Sequence, residues 1–212
     1  MSKASLPSIE AAEIVERRRD VRIIVSIPGR YSLASRHDPQ GNRREFACRA
    51  VSMSAQTVVL STPVLGPVGE RVVAHIDQFG KIDGSIARVL DRGFVMNMTA
   101  TAEERAKFVE KLVWLDRHRN HELPDNRESD RIVPNNPNST LIMRDGSRVS
   151  CFVIDMSVTG AAVSADIFPE IGTPMAVGKV VGRVVRRFAE GFALQFVTPV
   201  ASENLERMVI SS

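Results

Sequence analysis

Cysteine and aromatic residues are scarce in this 212-residue chain, and each scarcity removes a class of protein. Cys48 and Cys151 are the only cysteines, too few for a disulfide framework and not at a metal-ligand spacing. Aromatics make up 5%, with one Trp and one Tyr, which leaves few platforms for stacking single-stranded bases. No apolar run approaches the roughly 18 residues of a membrane span. The N-terminus, MSKASLPSIEAAEIVERRR, holds no apolar segment able to act as a secretory signal. A soluble, cytoplasmic protein without membrane insertion is expected. Catalytic signatures are missing as well: there is no Gly-x-Ser-x-Gly elbow, no Gly-rich phosphate loop before a helix and no dinucleotide fingerprint. His118 and His121 could share a helical face, but no carboxylate or cysteine completes a metal set at a suitable spacing. Neither catalysis, a cofactor nor a metal is expected.

Arginine is present in clusters, at 17–22, 43–49, 117–131 and 183–187, although the net charge is only +3. Clustered arginine favours an anionic partner. Nucleic acid is one such partner, and Arg183, Arg186 and Arg187 on a late strand pair support it. The shortage of aromatics and the lack of a helix-turn-helix or RNA-binding signature weigh against it.

The chain also repeats itself. Cys48, Met53 and Ser54 recur at one constant offset as Cys151, Met156 and Ser157. Upstream, Arg18-x-x-x-Arg22 matches Arg127-x-x-x-Arg131; downstream, Ile86-Ala-Arg88-Val89 and Gly93-Phe94-Val95 echo Val181-Gly-Arg183-Val184 and Gly191-Phe192-Ala193. Three matched blocks in one order indicate a tandem duplication. Each copy is rich in β-branched and small apolar residues. Period-two alternation would put Cys151, Val153, Asp155 and Ser157 on one strand face. Asp145-Gly146 is a hairpin signal, and Asp91-Arg92-Gly93 and Ala189-Glu190-Gly191 read as the late turns of each copy. Short strands at this spacing predict small antiparallel barrels. Thr101-x-x-Glu104 resembles a capping box ahead of Phe108, Leu112 and Leu115 at i, i+4, i+7, so a helix should separate the copies. A shorter helix with Leu205, Met208 and Val209 on one face should close the chain.

The candidate site combines two motifs: Arg127-x-x-x-Arg131, then Asp155-x-Ser157-x-x-Gly160. Two arginines offer planar forks for guanine O6 and N7 or for phosphates. A carboxylate can accept from guanine N1–H and N2–H₂, and a serine hydroxyl can donate to an oxygen. Glycine would hold a positive φ or leave room for a base. The pattern describes a site for a small anionic purine nucleotide. Arg-x-x-x-Arg followed by Asp/Asn-x-Ser-x-x-Gly resembles the signature of the PilZ domain, a bacterial receptor for cyclic di-GMP. That resemblance implies a mainly β fold of two small antiparallel Greek-key barrels, each followed by a C-terminal helix. It implies an N-terminal tail over 1–15, a degenerate PilZ-like domain over 16–121 and a cyclic di-GMP-binding domain over 122–212. It also implies that Arg127, Arg131, Asp155, Ser157 and Gly160 hold the ligand and that the arginine segment folds over it. Ordering of that segment would re-aim one domain against the other, and a protein effector would relay the signal to motility, polysaccharide or adhesion machinery.

Copy one departs from the pattern. Arg17, Arg18 and Arg22 are in place, but the second half reads Ser52-x-Ser54-x-x-Thr57. Serine removes the acceptor for guanine N–H groups, and threonine disfavours a positive φ. The first domain is expected to bind cyclic di-GMP weakly or not at all and to serve in docking or dimerisation, with Arg17, Arg18, Arg22 and Ser54 as a secondary set. The reading is compatible with a homodimer. A ligand-free PilZ-like interaction module is the remaining alternative.

Overall fold

A computed structural model describes residues 22–118 and 131–210. The expected tail over 1–15 and the boundary between 121 and 122 fall outside the described residues.

Barrel one comprises β1 (Arg22–His37), β2 (Arg43–Ser54), β3 (Thr57–Ser61), β4 (Arg71–Ile76), β5 (Gly80–Leu90) and β6 (Gly93–Met98). Barrel two comprises β7 (Asn138–Met143), β8 (Arg148–Ser157), β9 (Gly160–Ala165), β10 (Pro174–Val177), β11 (Val180–Phe188) and β12 (Gly191–Phe196). Each closes in one cyclic order, β1-β2-β3-β6-β5-β4 and β7-β8-β9-β12-β11-β10, with every pairing antiparallel. The third strand thus pairs with the sixth, which is the Greek-key crossover. Closure leaves no sheet edge exposed.

Period-two burial explains why these segments close. β4 alternates Val72, Ala74 and Ile76 inward with Arg71, Val73 and His75 outward. Barrel one fills its interior with Tyr31, Phe46 and Phe94, the Tyr31 ring lying 5.7 and 5.6 Å from the other two. The Tyr31 hydroxyl donates to the Val64 carbonyl at 2.6 Å and accepts from the Val64 N–H at 3.2 Å. One buried phenol thereby anchors the β3–β4 crossover, and its burial pushes its pKa up. Barrel two buries Leu141, Val153, Val163, Phe192 and Leu194 around a less aromatic centre.

Bulges recur at equivalent places in the copies. β2 skips Val51 between Ala50 and Ser52, and β8 skips Ile154 between Val153 and Asp155. β5 skips Ala87 and β11 skips Val185. A bulge adds one residue and reverses the alternation beyond it. The face expected for Cys151, Val153, Asp155 and Ser157 is therefore split. Cys151 and Val153 point into the core together with Met156, whereas Asp155 and Ser157 lie outside. The second bulge also corrects an echo in the repeat: Ile86 and Arg88 occupy the places of Val184 and Arg186, not those of Val181 and Arg183.

α1 (Ala102–His118) follows barrel one. Its capping box is complete: Thr101 N–H donates to Glu104 Oε2 at 2.8 Å and Glu104 N–H to Thr101 Oγ1 at 3.2 Å. Phe108 and Leu112 bury on the barrel, with Leu115 alongside. A 3₁₀ turn (Ser202–Asn204) and α2 (Leu205–Val209) close barrel two, with Leu205 and Val209 buried.

The barrels meet through buried polar contacts. Arg44, 8% exposed, reaches from β2 to Asp166 Oδ1 at 2.9 Å and to the carbonyls of Ala165 and Ile167 at 2.5 and 2.6 Å. Its guanidinium also stacks over Phe168 at 3.9 Å. The Ala47 N–H donates to Ser164 Oγ at 3.0 Å. Arg49, 6% exposed, donates to the carbonyls of Pro134 and Asn135 at 2.9 and 3.1 Å. Burial lowers the pKa of both arginines, opposed at Arg44 by the Asp166 carboxylate.

Candidate functional site

Asp155 and Ser157 stand on the outer face at the end of β8, where a two-residue turn leads to Gly160 on β9. The bulge at Ile154 turns them outward; without it Asp155 would fall in the core. Ile132 bridges Met156 on the neighbouring side and so lays the residue before it against the β8 end. Arg131 Nη1 consequently meets Asp155 Oδ1 and Oδ2 at 3.2 and 3.3 Å. The Arg131 side chain is 53% exposed and that of Asp155 20%. Arg127 lies outside the described residues.

Ser157 Oγ accepts from the Thr159 N–H at 3.4 Å and pairs with Thr159 Oγ1 at the same distance, which shapes the turn. Gly160 does not hold a positive φ. Its Cβ would fall 2.5 Å from the Leu194 carbonyl oxygen, so glycine is needed there for the close approach of β12. Of the two expectations for Gly160, the positive φ is not met, and the strand packing gives another reason for glycine there.

Between the barrels runs a cleft of about 780 Å³, with Arg30, Arg49, His75 and Asp77 on the barrel-one side and Asp155 and Glu190 on the other. Of the sequence-predicted residues, Asp155 alone borders it; Arg131, Ser157 and Gly160 do not. Arg30, Arg49, His75, Asp77 and Glu190 were not anticipated there. Only the arginine cluster at 43–49 hinted at Arg49, since the rest converge from strands and turns far apart in the chain.

The secondary set is built differently. Arg22 Nη2 donates to Thr57 Oγ1 at 2.9 Å and Nη1 to Ser52 Oγ at 3.4 Å. Ser54 Oγ accepts from the Thr57 N–H at 3.1 Å and pairs with Thr57 Oγ1 at 2.9 Å. Ser54 thus serves its own turn. Arg17 and Arg18 lie outside the described residues.

Both cysteines are buried, and burial pushes their thiol pKa values up, that of Cys151 to about 12. Among the described residues no three His, Cys, Asp or Glu side chains group as a metal site. The His118 side chain and His121 lie outside those described. No helix among them is long and apolar enough to cross a membrane.

Residues 125–211 match the family model described as the PilZ domain. Among solved structures, the PilZ domain of CeSA from a cellulose-synthesizing bacterium is 16% identical, with a TM-score of 0.37, covering 47% of this chain and all of that one. The PlzA protein of Borreliella burgdorferi, solved in complex with c-di-GMP, is 13% identical with a TM-score of 0.28, covering 94% of this chain and 96% of that one. YcgR from Escherichia coli, also in complex with c-di-GMP, is 12% identical with a TM-score of 0.25, covering 93% and 85%. No curated protein matches the chain. Both halves of the arginine and aspartate signature fall inside the matched residues, so the second barrel is the part of this chain that matches the PilZ domain.

Proposed function

We propose that the protein is a receptor for cyclic di-GMP, with the ligand held by Arg131 and Asp155 at the edge of the inter-barrel cleft. The observation that carries this reading is the convergence of Arg131 and Asp155, 24 residues apart in sequence, at 3.2 Å on the outer face of the barrel that matches the PilZ domain. Arg131 supplies paired donors for a guanine edge or a phosphate, and Asp155 supplies an acceptor for guanine N1–H and N2–H₂. Arg127, four residues before Arg131 in sequence, would add a second guanidinium. Ser157 and Gly160 shape the turn that presents Asp155.

The ion pair does not obstruct the ligand. An exposed pair is worth about 0.2–1 kcal/mol, whereas micromolar binding releases about 8 kcal/mol. The cleft falls inside the roughly 300–1,000 Å³ range of small-molecule sites. The cleft lies between the two barrels, so a ligand bound there would also change the inter-domain arrangement. The outcome is a relayed signal rather than a reaction, with a protein effector of the motility, polysaccharide or adhesion machinery downstream.

Calorimetry with cyclic di-GMP on the intact chain tests the reading. Nanomolar to micromolar binding is expected, and a gel shift with DNA or RNA at physiological salt should be weak by comparison. Nucleic-acid binding without cyclic di-GMP binding would reject it.

A further inference from the structure

Arg49 is a buried cation with no counter-ion among the described residues. It sits on β2 of barrel one, 6% exposed, and among the described residues no carboxylate lies within ion-pair distance of it. Its two hydrogen bonds, to the carbonyls of Pro134 and Asn135, both leave from Nη1. Nε and Nη2 have no partner among the described residues, yet neither is sealed from solvent. Arg49 lines the inter-barrel cleft, and Asp155 lines the same cleft from barrel two. A guanidinium largely withdrawn from water, bonded to two neutral carbonyls and lying 6.0 Å over the Phe152 ring, is held at a cost, and an anion entering the cleft lowers that cost. Arg44 makes the contrast plain: it is equally buried on the same strand but is neutralised by Asp166 at 2.9 Å.

We infer that barrel one contributes Arg49 to the ligand site as a phosphate-binding residue, so that a nucleotide held by Asp155 on one wall meets a cation on the other. This rests on the cyclic di-GMP reading and adds to it. The guanidinium is already fixed by its two carbonyl bonds, so little side-chain entropy is lost when its free edge meets a phosphodiester oxygen. Those carbonyls belong to the turn that follows Arg131, and the Asn135 N–H also donates to Glu206 of α2 at 3.0 Å. A phosphate on Arg49 therefore touches the residue that ties barrel one to the segment entering barrel two. Barrel one has lost the acidic half of its own motif, and this position would give it a new part in the site.

The test is calorimetry of cyclic di-GMP with the full chain carrying Arg49→Met, Arg49→Lys, Arg44→Met or Asp155→Ala, each checked for folding by thermal unfolding. Arg49→Met should weaken binding at least about tenfold, the scale of a lost hydrogen bond to a charged group. Arg49→Lys should recover most of that loss by keeping the charge, and Arg44→Met should stay within about threefold of wild type. Unchanged affinity in Arg49→Met, or an equal loss in Arg44→Met, would assign Arg49 to barrel docking alone and overturn the inference. Absence of wild-type binding would instead overturn the receptor reading on which it rests, and so would an unaffected Asp155→Ala.

Discussion

Arg22 and Arg131 hold equivalent places on two barrels of one topology, each one residue before the isoleucine that pairs with a methionine near the end of the bulged second strand. On barrel two the arginine meets a carboxylate, Asp155, and the pair is half open to solvent. On barrel one it meets the hydroxyls of Ser52 and Thr57. The scaffold is unchanged: the bulge at Val51 presents Ser52 as the bulge at Ile154 presents Asp155. What differs is the chemistry at two positions. A hydroxyl can share an arginine's proton but cannot accept strongly from the two N–H groups of a guanine edge. Thr57 stands where Gly160 does and neither holds a positive φ; at Gly160 it is the close approach of the Leu194 carbonyl that requires glycine. The loss of the acid, rather than any backbone change, distinguishes the first barrel from the second.

The comparison can be broken most forcibly in the cores. Phe94 and Phe192 are equivalent and fully buried, so Phe94→Ala and Phe192→Ala should each cost about 3–5 kcal/mol. Denaturant unfolding followed at Trp114, which lies on α1 beside barrel one, should respond directly to the first substitution. A single unchanged transition in both variants would contradict two separate cores. Next in size, Arg131→Ala and Asp155→Ala should each remove about 1.5–3 kcal/mol of cyclic di-GMP binding by calorimetry. Unchanged affinity in both variants would reject the placement of the site on barrel two.

Alkaline pH should separate the barrels further. Cys48, Cys151 and Tyr31 all have pKa values raised by burial, so their contribution is complete below the unfolded values and fades as pH rises through the folded ones. For Cys151 that window runs from 9.0 to about 12. The loss is about 1.4 kcal/mol per pH unit for each group. Barrel one holds two such groups and barrel two holds one, so the Trp114 signal should change first in a pH titration above 9. The smallest effect is expected from Ser52→Asp. An ion pair with Arg22 on this surface should add less than about 1 kcal/mol to thermal stability. A larger gain would mean that barrel one's site is more enclosed than its contacts indicate.

Much of this was legible in the chain. The capping box at Thr101 and Glu104, the spacing of Phe108 and Leu112, and the Asp145-Gly146 turn are local signals, and each formed as its neighbours dictated. The duplication was visible because equivalent strands need the same residue types at the same pleat positions. The bulges were not visible. Ile154 looks like one more β-branched strand residue, and nothing local says that its partner strand skips it. Without the bulge, strict alternation would have put Asp155 beside Cys151 and Val153 in the core.

By itself, then, the amino-acid order determined the repeat, the strand-rich character, the capped helix and the identity of the arginine and acid motifs, because propensity, patterning and turn chemistry act over a few residues. Only the tertiary structure decided that Asp155 faces outward, that Gly160 makes way for β12, and that Arg44 and Arg49 cross to the other barrel. Those outcomes depend on register and on contacts between residues about 80 to 120 positions apart. Strand pairing and burial settle such contacts collectively, and no short stretch of sequence contains them.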